Sequence, residues 1–225
     1  MREELRGPVL VAWSSGKDSA WALHRLREEG AEVSGLLTTV NASAGRVAMH
    51  AVRESLLRRQ AEAAGLPLFT VPIPHPCSNE AYDAAMERAM ADAHARGVRH
   101  VAFGDLFLED VRRYREERLL WTGIAPLFPL WGEDTGALAR TMQHAGVRSI
   151  LTCVDPRVLP REFAGRDWDA RLLAELPAEC DPCGERGEFH TFVTAGPMLG
   201  HPLPVRRGEV VEREGFVFAE VMEDG

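Results

Sequence analysis

Six consecutive residues, Ser14-Ser15-Gly16-Lys17-Asp18-Ser19, have the make-up of a phosphate cradle. Small side chains let the backbone come close to a polyanion. A helix that starts just beyond them adds free N–H groups and the positive end of its dipole. Lys17 sharpens the signal, because among 26 basic residues it is the only lysine. A compact ammonium on a thin stem suits a tight phosphate site that the wide guanidinium fork does not. Asp18 and Ser19 are also residues that cap helices, but a cap does not need the lysine. The Gly-x4-Gly-Lys spacing of a Walker loop is missing.

A second cluster begins at Gly104-Asp105 and reaches Glu109. Asp105 and Glu109 can hold Mg²⁺ on a polyphosphate or orient an amine, since magnesium takes one or two carboxylates together with phosphate oxygens and water. Arg112, Arg113, Arg115 and Arg118 follow on the same stretch. They can steady pyrophosphate or a substrate carboxylate, or pair at i,i+4 with Glu109, Glu116 and Glu117 on a solvated helix face. In a third cluster, Glu185, Glu188 and His190 crowd around Gly184 and Gly187 outside any periodic segment. Such a loop can bind and deprotonate an ammonium or amine, or it can be a solvated turn. Cys180-Asp-Pro-Cys183 has C-x-x-C spacing, yet no second pair stands at zinc-ligand distance, which favours structural cysteines. His50 follows a loop and reads equally as an ordinary helix histidine.

These clusters need elements to position them. Apolar strands are expected at 9–13, 33–40, 68–72, 100–105 and 125–130. Helices are expected at about 18–29, 47–64 and 79–95, closed by Gly30, Gly65 and Gly97, and another helical stretch follows the 100–105 strand to about 121. This alternation predicts an α/β fold with a doubly wound parallel sheet covered by helices on both faces. Ligands of such sheets lie beyond the carboxyl ends of the strands, where Ser14–Ser19, Thr38–Asn41 and Gly104-Asp105 all fall. After Trp131 the rhythm changes. A helix at 135–145, a strand at 148–154, a helix at 168–175 and a hairpin through Glu214-Gly215 predict a second, smaller α+β domain. The expected division is 1–131 for nucleotide binding and 132–225 for the substrate.

The hexapeptide resembles the PP-loop of the ATP pyrophosphatases, Ser-Gly-Gly-x-Asp-Ser, with Ser15 in place of the first glycine. The segments 104–110 and 183–191 look like motifs of the diphthine–ammonia ligase family, an adenine-nucleotide α-hydrolase-like (HUP) group. The likeness extends through Pro129-Leu130-Trp131-Gly132 and Ala195-Gly196-Pro197, nearly the whole chain. It implies an enzyme that cleaves ATP between the α and β phosphates, adenylates a carboxylate and passes the acyl group to ammonia or an amine. The expected nucleotide site is then Ser14, Ser15, Gly16, Lys17, Asp18, Ser19, Thr38 and Gly104. Asp105, Glu185, Glu188 and His190 would be catalytic, with Asp105 and Glu109 on Mg²⁺. In that family the acceptor is diphthine on translation elongation factor 2; another carboxylate, small or protein-borne, stays open here.

Composition bounds the partners. The formal net charge is −8 and the basic residues form no stripe, which argues against a general nucleic-acid or anionic-membrane binder. No apolar run approaches the roughly 20 residues needed to span a bilayer. The charged start, Met1 to Arg6, does not read as a signal peptide. A cytoplasmic protein is expected, and a homodimer is left open. Two other functions remain to be separated: a PP-loop tRNA modifier with Cys180 or Cys183 carrying sulfur, and a non-catalytic adenine-nucleotide-binding module that releases no pyrophosphate.

Overall fold

A computed structural model describes residues 7–41, 46–47 and 52–224. The first half forms one sheet. Strand β1 (Val9–Ala12) runs into helix α1 (Lys17–Glu28), followed by β2 (Val33–Asn41), β3 (Arg46–Val47), α2 (Glu54–Ala63), β4 (Leu68–Ile73) and α3 (Asn79–Ala95). Strand β5 (His100–Ala102), α4 (Glu109–Leu119) and β6 (Ala125–Leu127) complete it. The parallel strands lie in the order β4-β2-β1-β5-β6, and β3 adds a short antiparallel pairing to the end of β2. Val9, Leu10 and Val11 are buried, as a central strand covered on both faces requires.

The chain builds outward from β1 through β2 to β4, then returns to lay β5 on the other flank of β1. That reversal is the topological switch point of a doubly wound sheet, and a crevice opens there beyond the strand ends. The loops after β1 and β5 therefore meet. Glycine makes the approach close: a Cβ on Gly104 would lie 2.7 Å from the Asp18 carbonyl carbon and 2.8 Å from the Ser19 nitrogen.

The second half holds α5 (Thr135–His144), β7 (Arg148–Val154), a 3₁₀ turn (Arg161–Phe163), α6 (Ala170–Glu175), β8 (Phe189–Ala195), β9 (Val205–Arg213) and β10 (Phe216–Glu223). Its four strands form an antiparallel sheet in the order β8-β7-β10-β9. The architecture is thus α/β with a smaller α+β part. One apolar core runs through both, joining Trp13, Trp21 and Leu23 to Trp168, Phe189 and Phe192. Ser78, Asp134 and Asp169 cap α3, α5 and α6 by accepting from the N–H three residues on.

Several elements differ from the sequence expectation, among them the strand expected at 125–130, which ends at Leu127. Helix α2 starts at Glu54 rather than near Val47, whose backbone belongs to β3. Residues 189–191, expected in a loop, begin strand β8 and pair with β7. The strand expected at 100–105 stops at Ala102, which leaves Gly104-Asp105 free to turn. His50 and the segment 1–6 lie outside the described residues. No described helix is long and apolar enough to cross a membrane.

Candidate active site

The loop after β1 is held from both halves of the chain. Gly16 stands at the N-cap of α1 with no side-chain cap bond, so neither Asp18 nor Ser19 caps the helix. Instead Lys17 N donates to Thr191 Oγ1 at 3.1 Å, and Val193 N donates to the Ser15 carbonyl at 2.9 Å. Gln60, fully buried, donates from Nε2 to the Ser15 and Val193 carbonyls and accepts from Trp13 Nε1. Strand β8 therefore lies directly against the cradle. A Cβ at Gly16 would meet the Thr191 carbonyl at 3.2 Å. Ser14 Oγ and Ser19 Oγ sit 3.1 Å apart, and Ser19 Oγ donates to the Gly16 carbonyl, which closes the loop on itself.

Ser15 adopts φ +72°, the left-handed conformation that favours glycine. Its hydroxyl is buried with no hydrogen-bond partner among the described residues, and the residue does not line the cleft. Ser15→Gly is therefore expected to stabilise the fold by about 1 kcal/mol, through lost strain and a lost buried hydroxyl. Denaturant melts check this; a less stable variant would show that the loop gains from the serine.

The cleft at the switch point measures about 430 Å³, within the usual range for ligand sites. Ser14, Gly16, Lys17, Asp18, Ser19, Thr38, Gly104, Asp105, Glu185 and His190 all line it. Thr38 Oγ1 donates to the Trp13 carbonyl at 2.6 Å, tying β2 to the end of β1. Lys17 is 1% exposed. Its ammonium donates to both Asp18 carboxylate oxygens and to the Cys183 carbonyl, 5.3 and 5.4 Å from the Trp168 and Phe189 ring centres. Burial, the largest single influence, opposes its charge, but Asp18, through charge and hydrogen bond, acts with Cys183 and Glu185 to hold its pKa above the ordinary lysine value.

The loop between Cys180 and Phe189 is stitched by two carboxylates. Asp181 accepts from Thr135 Oγ1, Cys183 N and Glu185 N. Glu188 accepts from Asp181 N and Arg186 N, both at 2.9 Å. Glu188 is thereby buried within the loop and does not line the cleft. It shapes the loop, whereas the sequence reading gave it a catalytic role. The same stitching turns Glu185 outward, where its Oε1 accepts from Leu106 N at 2.7 Å and Phe107 N at 3.4 Å. Burial, eased only in part by those N–H groups, pushes Glu185 up to about 7. His190, on β8, is pushed down to about 4 by burial and then by the Lys17 charge, so its imidazole is neutral at pH 7.

The expected magnesium pair is not assembled. Asp105 is engaged by Arg115, through Nε and through Nη2 at 3.1 Å. Glu109 is exposed in the first turn of α4 and does not line the cleft. No group of three or more His, Cys, Asp or Glu residues among the described ones is placed to hold a metal ion. Of the four arginines on α4, only Arg115 lines the cleft; Arg112 pairs with Glu116, and Arg118 with Asp83. Tyr82 also lines it, from α3, with nothing in the sequence but an aromatic among alanines to mark it. All four cysteines are free. Burial pushes the Cys180 thiol up to about 12 and raises Cys183 as well, which leaves both poor nucleophiles and disfavours a sulfur-carrying role.

Fold and site together define a doubly wound α/β protein with a ligand cleft at its switch point, roofed by a second α+β part. The model of the diphthamide synthase N-terminal domain family matches residues 7–120, half of the chain, and the protein belongs to that family. Two curated relatives are both diphthine–ammonia ligases. The one from Bos taurus is 27% identical over 177 residues, covering 72% of this chain and 66% of its own length. The one from Schizosaccharomyces pombe is 32% identical over 94 residues, covering 40% of this chain and 16% of its own. The matches thus take in less than two thirds of each relative.

Proposed function

We propose that the protein is an AMP-forming ligase that joins a carboxylate to ammonia or an amine. The observation that carries this reading is the convergence of three distant segments, Ser14–Ser19, Gly104-Asp105 and Glu185, on one cleft at the switch point. The likeness to diphthine–ammonia ligases supports the same chemistry.

ATP would lie with its polyphosphate on the Ser14–Ser19 cradle, against backbone N–H groups and the start of α1. A carboxylate oxygen of the acceptor attacks the α phosphorus, the bond to the β-phosphate oxygen breaks, and pyrophosphate leaves. The nitrogen lone pair of ammonia then attacks the acyl carbon, and AMP leaves with the carboxylate oxygen. Glu185 takes the proton released from nitrogen, a role suited to a carboxylate titrating near neutrality. Neutral His190 accepts or donates a hydrogen bond without adding charge. Most of the rate gain comes from positioning and charge neutralisation. Asp105, held by Arg115, and Glu109, outside the cleft, do not form a resident magnesium pair, and no step here depends on one.

The test is product analysis with α-labelled ATP, ammonium and a panel of carboxylic acids, magnesium being supplied with the nucleotide. AMP and pyrophosphate in equal amounts, formed only with an acceptor acid, are expected. Formation of ADP and phosphate with that acid contradicts the mechanism, and acceptor-independent binding without turnover indicates a nucleotide sensor.

A further inference from the structure

A second cavity, about 540 Å³, lies between α3 and α4. It adjoins the nucleotide cleft, for Tyr82, Met86, Phe103 and Arg115 line both. Beyond that junction it is lined by Met90 and Ala91 from α3 and by Tyr114, Leu119 and Trp121 from α4 and the turn after it, together with the charged Asp83, Glu87, Glu117 and Arg118. Trp121 is 90% exposed at the outer end. Met90 and Leu119 are buried while Tyr114 and Trp121 are exposed, and exposed aromatic side chains on a cavity beside a polar cleft mark a ligand surface more often than a structural one.

Arg115 stands where the two spaces meet. Its Nε and Nη2 hold Asp105, its guanidinium lies 4.3 Å from the Phe103 ring centre, and Nη1 makes no hydrogen bond among the described residues. The end-on edge of the fork is thus available to a planar anion. Arg115 and Arg118 already occupy the faces of Phe103 and Tyr114. Arg118 is in turn neutralised by Asp83, which also accepts from the Tyr114 hydroxyl at 2.7 Å.

We propose that this groove is the acceptor subsite of the ligase reaction above, taking a carboxylic acid with an apolar body of aromatic size: the carboxylate meets Arg115 at the junction and the body lies between α3 and α4. This rests on the ligase reading and narrows its acceptor to acids with such a body. Arg115 acts as a specificity residue that delivers the carboxylate to the mouth of the nucleotide cleft.

The probe is 4-phenylbutyrate, titrated against the full chain alongside acetate, which lacks the body, and 4-phenylbutan-1-ol, which lacks the charge. The acid is expected to bind about tenfold or more tightly than either control, the scale of one charge-assisted contact or one buried ring. Arg115→Met should weaken the acid by about tenfold and leave the alcohol unchanged. Ala91→Trp, a change on the exposed face of α3, fills the groove and should weaken the acid by at least about tenfold while ATP affinity stays at the wild-type value. Equal binding of acid and alcohol, or full binding by Ala91→Trp, overturns the subsite. If the acid binds as expected but no acid supports AMP formation, the ligase reading fails while the binding groove stands; if AMP forms and Ala91→Trp leaves the acceptor KM unchanged, the groove fails while the ligase reading stands.

Discussion

Lys17→Met is expected to cost about 1–3 kcal/mol of stability, because it leaves the part-buried Asp18 carboxylate, 27% exposed, without its partner. The ammonium is enclosed by Asp18, the Cys183 carbonyl and the rings of Trp168 and Phe189, so it joins the cradle to the roof of the cleft. Lys17→Arg keeps the charge but not the shape. It is expected to lose about 1–3 kcal/mol through overpacking and to weaken ATP at least about tenfold, since the displaced guanidinium moves the Ser14–Ser19 loop. Chemical denaturation and nucleotide titration measure the two effects. Wild-type stability and equal ATP affinity in Lys17→Arg would mean that this lone lysine among 26 basic residues is incidental to the site.

Glu185→Gln is expected to lower turnover by roughly 10²-fold while ATP affinity stays near wild type. The sign of the pH effect follows from the raised pKa of about 7. Only the ionised carboxylate can take a proton from nitrogen, so activity at a fixed concentration of free ammonia rises with pH through about 7 and flattens above it. The glutamine variant should lose that limb. For stability the direction is opposite: a raised folded-state pKa stabilises the fold below the ordinary carboxylate range, and that contribution is lost as pH rises through about 7. Glu188→Gln provides the contrast. It keeps one acceptor oxygen but turns an amide toward the N–H of Asp181 or Arg186, and is expected to cost about 1–3 kcal/mol with little change in turnover by the folded fraction. Full activity in Glu185→Gln, or a hundredfold loss in a fully stable Glu188→Gln, would reverse the two assignments.

The contrast between these glutamates marks where the sequence stops being legible. Both stand in one short glycine-containing loop, with the same chemistry and similar neighbours. Which of them faces the cleft depends on Asp181, whose carboxylate gathers the N–H groups of Cys183 and Glu185, and no periodicity reports that. The regular elements were far easier to read. Helix α3 spans Asn79–Ala95 as expected, because Ser78 caps it and Gly97, with φ +91°, follows its end. The strands β1, β2 and β4 declare themselves by short apolar runs, and their alternation with helices identifies the doubly wound sheet; β7 shows the same kind of run in the antiparallel sheet. Strand β8 escaped notice because it begins two residues after Gly187, inside a segment dominated by charge. Asp105 could be placed at a strand end from sequence alone, but its ion pair with Arg115, ten residues on, needs the packing of α4 to bring the two together. The same packing leaves Glu109 in solvent.

The adenylation step can be followed by a single isotope. With the acceptor acid labelled by ¹⁸O in its carboxylate, the oxygen that attacks the α phosphorus remains on that phosphorus when ammonia displaces AMP. One labelled oxygen in AMP for each amide formed, and none in pyrophosphate, is the expected result. Label appearing in inorganic phosphate, or amide formation with unlabelled AMP, would show that the carboxylate is activated in another way and would contradict the AMP-forming mechanism.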